Sequence, residues 1–424
     1  MSLLDVWLGG TRVAVLDDAA AFGMASLQYT DDALRTFGRG GLALSLRLPV
    51  REAPYSAYDA RPWLDGLLPE GELRTVLADR YHVAGDDTAG LLAVLGRECA
   101  GAVTITRNGD GPPVESGVHW LDEDGLDRAV RELATAPFGV GVDGRVRISL
   151  GGVQSKLVLV GADDGRFGLP LDATPSTHIL KPSPLDDLGR ERWPGVVHAE
   201  LFGMRVAAEA GIDCAEVSFR PVGDRPAILV RRYDRVADGT GLRRVHQEDL
   251  GQALGVPPTA KYQKAADPLT PSLRRVAGVI NDHADAPVTE LPRLLDQVVA
   301  SLVVGNCDQH AKNLSMLLDP DLGVRLAPAY DVVATVALGV ETALSLTVGG
   351  ESLLEDVSGQ AIDDEAESWG MGRRAARRRR EEILERLADA IGAAADGVRA
   401  DAGEHEVLDR AEADARRRLA LVAG

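Results

Sequence analysis

Lysine is nearly missing from this chain. Of 424 residues only five are lysine (Lys156, Lys181, Lys261, Lys264 and Lys312), against 41 arginines. A chain that puts its generic surface charge on arginine keeps lysine where a compact point charge matters, as on phosphate. Codon bias with the leftover lysines scattered at random is the competing explanation. Cysteine is scarce too. Cys99, Cys214 and Cys307 are too few and too far apart for a disulfide framework or a zinc site. No run approaches 18 consecutive apolar residues, so no membrane partner or span is expected. The first fifteen residues carry Asp5 and Arg12 but no basic stretch leading into an apolar run, so no signal peptide is expected. Positive charge is in deficit, 46 Lys and Arg against 65 Asp and Glu, a net charge of −19. Nucleic acid can then be met only through a local patch. A cytoplasmic protein without internal repeats is the expectation.

What is present is ordinary in bulk. With 45% hydrophobic and 26% charged residues the chain is globular, and its length suggests two or three domains. Residues 3–8 and 12–16 flank Gly9-Gly10 and read as a hairpin. Residues 42–48 alternate as a half-buried strand should, residues 64–81 have helical periodicity, and 100–106 form another strand. Residues 107–117, rich in Gly, Pro and Asp, are the best linker. A second unit follows. It has strand-like runs at 146–150 and 157–160 around a glycine pair, a short strand at 176–181 stopped by Pro182, an amphipathic helix at 196–210 and a strand at 227–233. From Gln247 onward the pattern is helical apart from a hairpin within 314–326. Strands first and helices after is the pattern of a two-lobed α+β unit.

The segment GNCDQHAKN, residues 305–313, places Asp308 and Asn313 five positions apart after an apolar helical run. That is the spacing of a kinase catalytic loop, in which the Asp takes or orients the acceptor hydroxyl's proton and the Asn holds magnesium. A capping or turn aspartate is the plainer alternative. The turn Asp319-Pro320-Asp321-Leu322-Gly323 would bring Ala329-Tyr330-Asp331 back beside Asn313. A second carboxylate there suits a metal-bound triphosphate, and makes Asp331 the candidate for the main magnesium ligand. Upstream, ISLGGVQSKLVL puts Gly151, Gly152 and Lys156 in a turn between strands, where backbone amides can approach phosphate. Lys181 ends a strand and Glu200 lies on the next helix, the pair that clamps nucleotide phosphates in kinases. Three of the five lysines fall in these segments. Cys307 with His310 is a nucleophile pair only on paper, since no Asn or Asp partner is implied.

These residues resemble the HipA-like serine/threonine kinases, toxins of bacterial type II toxin–antitoxin systems. The resemblance covers nearly the whole chain. LLPEGELRTVLADRYHV and LGRECAGAVT are similar to the family's N-terminal domain, ISLGGVQSKLVL to its phosphate and autophosphorylation loop, and THILKP to its nucleotide-lysine strand. LVRRYDR is similar to its hinge, and HQEDLGQALGVPPTAKYQ, GNCDQHAKNLSM and APAYDVVAT follow in the family's order. The resemblance implies a two-lobed protein-kinase-like α+β fold of HipA type. Its divisions would be an N-terminal α/β domain (1–106), a linker (107–117), a nucleotide lobe (118–235) and a mostly helical C-terminal lobe (236–424). It implies ATP and Mg2+ as cofactors, with Asp308 as catalytic base and Asn313 and Asp331 as metal ligands. Nucleotide contacts would come from Gly151, Gly152, Val153, Gln154, Ser155 and Lys156, from Lys181 and Glu200, and from Arg231, Arg232 and Tyr233 along the adenine. His310, Ala311, Lys312 and Tyr330 would complete that site. Ser149 would be the autophosphorylated serine, with Ser155 its competitor, and the product inactive. Implied partners are a HipB-like antitoxin on a separate chain, operator DNA reached through that complex, and a protein substrate, an aminoacyl-tRNA synthetase being one candidate. Better-known members carry glutamate in the hinge where this chain has Arg231 or Arg232.

One basic run stands out, MGRRAARRRREEILERL, residues 371–387. Arginines crowding a helix's first turns oppose the macrodipole, and Arg before Glu is the poorer order for i,i+4 pairs. That suggests another use for Arg373, Arg374, Arg377, Arg378 and Arg380: DNA or a partner's acidic face, against the alternative of a solvated helix face. Two other functional classes remain open at this point. One is a small-molecule or lipid kinase of the phosphatidylinositol-kinase type, since Asp308-x-His310-x-x-Asn313 is similar to that loop. The other is a non-catalytic antitoxin- and DNA-binding co-repressor.

Overall fold

Gly9 and Gly10 both take left-handed backbone (φ 57° and 81°), the geometry a two-residue hairpin loop requires. They join Leu4–Leu8 to Thr11–Asp17 in a computed structural model that describes residues 4–17, 24–140, 146, 148–237, 239, 241–264, 267, 269–340 and 342–424. The chain divides into two compact units. One comprises Met1–Pro182, Arg231–Thr259 and Leu317–Leu322; the other comprises Ser183–Val230, Ala260–Met316 and Gly323–Gly424.

In the first unit, an antiparallel sheet runs in the order Ser26–Tyr29, Thr11–Asp17, Leu4–Leu8, Val103–Arg107. Val6 lies opposite Ala14 on one side and Ile105 on the other, and all three are fully buried. A second group of antiparallel strands comprises Glu115–Leu121, Phe167–Asp172, Leu157–Gly161 and His178–Pro182. The linker expected at 107–117 therefore gives its last three residues to a strand. Of the strand expected at 146–150, Arg147 lies outside the described residues, and Ile148 makes only an isolated bridge to Glu98.

Two expectations are corrected here. Residues 64–81 are not one helix but parts of two, Ala57–Gly66 and Gly71–Tyr81, broken around Pro69, with Gly71 left-handed (φ 57°). The break leaves the Leu67 carbonyl without a helical partner, and Ser149 takes it up. Residues 42–48 form no strand. Leu44, Leu46 and Leu48 are buried as the alternation requires, but their backbone groups bond to side chains. Leu46 N–H donates to Glu248 Oε1 (2.5 Å), Tyr29 OH donates to the Leu48 carbonyl (2.5 Å), and His246 Nε2 bonds the Leu44 carbonyl (2.8 Å). Ala43 and Ser45, on the other phase, are buried as well, so the alternation found three core leucines but neither the true burial pattern nor what the backbones pair with.

The second unit is largely helical. Val196–Glu209, Pro287–Val304, Arg373–Ala402 and Glu406–Ala423 pack together. Leu273–His283 lies against Pro287–Val304, and Gly359–Ser368 against Arg373–Ala402. Pro287–Val304 opens with proline in its first turn, is buried continuously from Leu294 to Val304, and closes on Gly305 at φ 81°. Proline at the start and left-handed glycine at the end fix both ends of this central helix. What Gly305 releases is the loop carrying Asp308. Among the described residues no helix is long and apolar enough to cross a membrane.

Candidate active site

The loop after Gly305 is held by its own polar groups. Thr335 Oγ1 donates to the Gly305 carbonyl (3.1 Å) and accepts from Cys307 N–H (2.9 Å); Asn306 Oδ1 accepts from Asp308 N–H (3.1 Å). His310 N–H donates back to the Asp308 carbonyl (2.8 Å). The Asn313 side-chain NH2 donates to that same carbonyl (2.9 Å). Its amide nitrogen is thereby committed, and the remaining donor atom is Oδ1, a hard oxygen of the kind magnesium takes. Cys307 is buried and in no disulfide, as a packing cysteine is.

The chain turns after Ser315–Asp319 and returns through Gly323–Leu326. Ala327 N–H donates to the Ser315 carbonyl (2.8 Å), and Tyr330 OH donates to the Lys312 carbonyl (2.6 Å) and bonds Ser315 Oγ (2.7 Å). Tyr330 thus ties the returning strand to the residues flanking Asn313. Asp331 follows in left-handed backbone (φ 59°), a conformation that non-glycine residues adopt at a cost of roughly 1–2 kcal/mol. The segment is pinned on both sides. Ala329 bridges Asp213 and Ala215 (2.8 and 2.9 Å). Just beyond, a Cβ built on Gly203 would come within 2.3 Å of the Val332 carbonyl. Only glycine lets the helix Val196–Glu209 approach so closely.

Asp308 is exposed, but desolvation by the protein around it pushes its carboxyl up to about 6, and the neighbouring Asp331 charge adds to the effect. Lys261, the Tyr262 hydroxyl (3.4 Å from Oδ1) and the Ser345 hydroxyl (3.5 Å from Oδ1) oppose it. A carboxyl poised near neutrality is suited to accept a proton. Burial, with the charge of Lys261, drives the His310 imidazole down to about 3, so it is neutral. Its ring meets Tyr262 edge-on at 5.4 Å between centroids. Lys261, Tyr262, Ser345 and Gly203 were not singled out as site residues from the sequence. The rarity of lysine and the family-like segment HQEDLGQALGVPPTAKYQ were the signals that pointed toward Lys261 and Tyr262.

Of the sequence-derived site residues, Asp308, His310, Ala311, Lys312, Asn313, Tyr330 and Asp331 fall together in the second unit, as does Glu200, buried on its helix. Gly151 to Lys156 and Lys181 belong to the first unit. There Gly152 is left-handed (φ 103°), Lys156 Nζ donates to the Gly151 carbonyl (3.0 Å), and Val153 is exposed. Ser149 is fully buried; its hydroxyl donates to the Leu67 carbonyl (2.7 Å) and its N–H to the Glu98 carbonyl (2.8 Å).

The two hinge arginines are unlike. Arg231 is exposed. Arg232 is buried, bonding Glu98 Oε1 (3.2 Å), Asp234 (2.8 and 2.9 Å), Ser176 Oγ (2.8 Å) and the Cys99 carbonyl (3.1 Å). Its side chain is thus engaged within the first unit, and what Arg232 has left for an adenine is backbone. Tyr233 OH bonds Gln247. The basic run is also largely spoken for. Arg380 is buried, with Nε and Nη2 on Asp363 (2.8 and 3.2 Å) and Nη1 on the Val422 carbonyl (2.9 Å), so it cannot reach DNA or a partner. Arg377 pairs with Asp363, and Arg373 with Asp364 and Glu367. Arg374 and Arg378 are exposed, Arg378 lying 3.7 Å from Glu382.

Residues 148–395 match the HipA-like C-terminal domain, and residues 4–106 match the HipA N-terminal domain. The chain is 37% identical over 404 residues to the putative kinase Y4mE of Sinorhizobium fredii (strain NBRC 101917 / NGR234), covering 92% of this chain and 91% of that one. It is 26% identical over 340 residues to the serine/threonine-protein kinase toxin HipA of Shewanella oneidensis, covering 78% and 75%. Among solved structures, the Shewanella oneidensis MR-1 HipA, HipB and operator DNA complex matches 99% of this chain and 97% of that one, with a TM-score of 0.82 at 22% identity. The fold is thus that of HipA, and the chain belongs to the HipA-like kinase family.

Proposed function

We propose that this protein is a cytoplasmic serine/threonine protein kinase that moves the γ-phosphoryl group of ATP to a protein hydroxyl, and that it acts as the toxin of a toxin–antitoxin pair. Asp308 accepts the hydroxyl proton. Asn313 Oδ1 and the Asp331 carboxylate would hold Mg2+, whose charge would screen the triphosphate. Gly151 to Lys156, Lys181 and Glu200 serve the phosphates, and the backbone of residues 231–233 serves the adenine. The division at residues 106, 118 and 236 belongs to the same proposal. So do a separate HipB-like antitoxin and operator DNA reached through it, partners of the kind named for the Shewanella oneidensis complex.

The observation that supports this reading most is the second-unit cluster. It contains one carboxyl raised to about 6, one asparagine whose nitrogen is already bonded, and one aspartate held left-handed beside them. Autoinactivation follows from Ser149. Its hydroxyl is buried against Leu67, so a phosphate of about −1.5 to −2 charges cannot be accommodated where it stands. Phosphorylation must expel the loop.

Full-length protein incubated with Mg·ATP and cell lysate tests the whole reading. Wild type should label lysate proteins and its own Ser149. Asp308→Asn should do both at least ~100-fold more slowly while still binding ATP. An Asp308→Asn protein as active as wild type, or phosphate on Ser155 alone, would overturn the assignment.

A further inference from the structure

Lys261 was left without a role by the catalytic reading, and its placement is unusual. It is 7% exposed. A buried ammonium is costly unless negative groups answer it. The residue is fastened to the catalytic loop, because its carbonyl accepts the Ala311 N–H (3.3 Å) between Asp308 and Asn313. Its Nζ lies 5.5 Å from the centre of the Tyr262 ring, and the Tyr262 hydroxyl reaches Asp308. Its charge is felt by both Asp308 and His310. Four of the five lysines in the chain now stand in segments given to phosphate or to the catalytic loop.

The local charge balance asks for such a group. Asp308 and Asp331 already repel one another, and a triphosphate would add more negative charge. Phosphoryl transfer spreads charge over the three outer oxygens of the moving group, and fixed cations in a dehydrated site stabilise it most there.

We propose that Lys261 is a further catalytic residue, its ammonium contacting the γ-phosphoryl group as it passes from nucleotide to acceptor. The inference rests on the kinase reading above. In the step itself the acceptor oxygen bonds to the γ-phosphorus while the bond from phosphorus to the β,γ-bridging oxygen breaks. ADP keeps that electron pair, and the hydroxyl proton goes to Asp308. Lys261 exchanges no proton and acts as a fixed charge.

The test uses the full chain with Mg·ATP and lysate as acceptor, measuring the transfer rate at saturating nucleotide and Mg·ATP affinity by calorimetry. Lys261→Met should lower the rate at least ~100-fold, as removing one transition-state donor does, while affinity changes by less than about 3-fold. Lys261→Arg keeps the charge but not its placement and should fall between, roughly 10-fold down. It also carries the test should Lys261→Met melt below the wild type. A wild-type rate in either folded variant, or a rate loss matched by an equal affinity loss, overturns the inference and leaves the kinase reading standing. A wild type that transfers no phosphate at all overturns both.

Discussion

Two carboxylates, one in each unit, the first enclosed and the second exposed, are driven in opposite directions. Burial alone would push Glu98 up, but Arg235, Arg244 and Arg232 overcome it and hold the carboxyl at about 2. Oε1 takes Arg235 (2.8 Å), Arg232 (3.2 Å) and Ser176 (2.8 and 3.1 Å), and Oε2 takes Arg244 (2.6 and 3.1 Å). Asp234 answers Arg232 and Arg235 in turn. Asp308 is exposed yet still desolvated by the protein around it, with a second carboxylate nearby and one lysine opposing, and it stands at about 6. Desolvation raises both, more fully at Glu98; the neighbouring charges decide the sign. The first cluster sets Glu98 and Asp234 against Arg232, Arg235 and Arg244 and suits a fixed support. The second carries surplus negative charge and suits a site that takes a divalent cation and gives and receives a proton.

The largest expected effect comes from breaking the arginine-rich cluster. Glu98→Gln leaves three arginines facing a neutral amide, two of them fully enclosed. Removing one partner of a buried ion pair costs about 3–5 kcal/mol. Urea unfolding of the full chain should show that loss in the transition of the first unit. A loss under about 1 kcal/mol would mean that the arginines are satisfied without Glu98.

The open cluster can be disturbed without touching any of its charges. Gly203→Ala places a methyl 2.3 Å from the Val332 carbonyl, so the backbone beside Asp331 must move. Overpacking of this kind costs about 1–3 kcal/mol. Magnesium-dependent ATP binding should weaken as well, while metal-free ATP binding changes less. Gly278→Ala is the control, since nothing lies within 4 Å of its added Cβ. It should be neutral or slightly stabilising on the helix Leu273–His283. Equal behaviour of the two variants would remove the argument that glycine is required for close approach.

What the sequence made legible was local. The Gly305 to Asn313 loop could be picked out because its helix stop, turn and polar spacing lie within nine consecutive residues. The hairpin bringing Tyr330 back was readable from Pro320 and Gly323 for the same reason. Lys261 lies 47 residues before Asp308 and meets it only through tertiary folding, so spacing could not find it. Arg380 looked like its neighbours along the basic run, yet Asp363 on another helix and the Val422 carbonyl bury it. Arg231 and Arg232 differ only in which side of a strand end they occupy. Period-2 reasoning failed at residues 42–48 because Glu248, His246 and Tyr29, far away in sequence, replaced the ladder partner that alternation assumes.

A third carboxylate, enclosed as Glu98 is, sharpens the comparison. Glu248 is 1% exposed, accepts Leu46 N–H (2.5 Å), and has no partner on Oε2 among the described residues. No cation is among the groups acting on it, and burial, the largest cause, pushes it up to about 8 from an ordinary 4.5. Three arginines, one lysine and no cation thus give about 2, about 6 and about 8. The pH consequence has a definite sign. Between pH 4.5 and 8 the unfolded chain has released this proton and the folded chain still holds it. Stability from this group is therefore full below pH 4.5 and falls by about 1.4 kcal/mol per pH unit until pH passes 8. Glu248→Gln keeps the acceptor for Leu46, resembles the protonated carboxyl and does not titrate. Measured by urea unfolding at pH 5, 6, 7 and 8, it should match wild type at the acid end and gain on it at each step upward. A wild type that instead gains on the variant as pH rises would show Glu248 ionised inside the fold, and the ordering by neighbouring cations would fail at its simplest case.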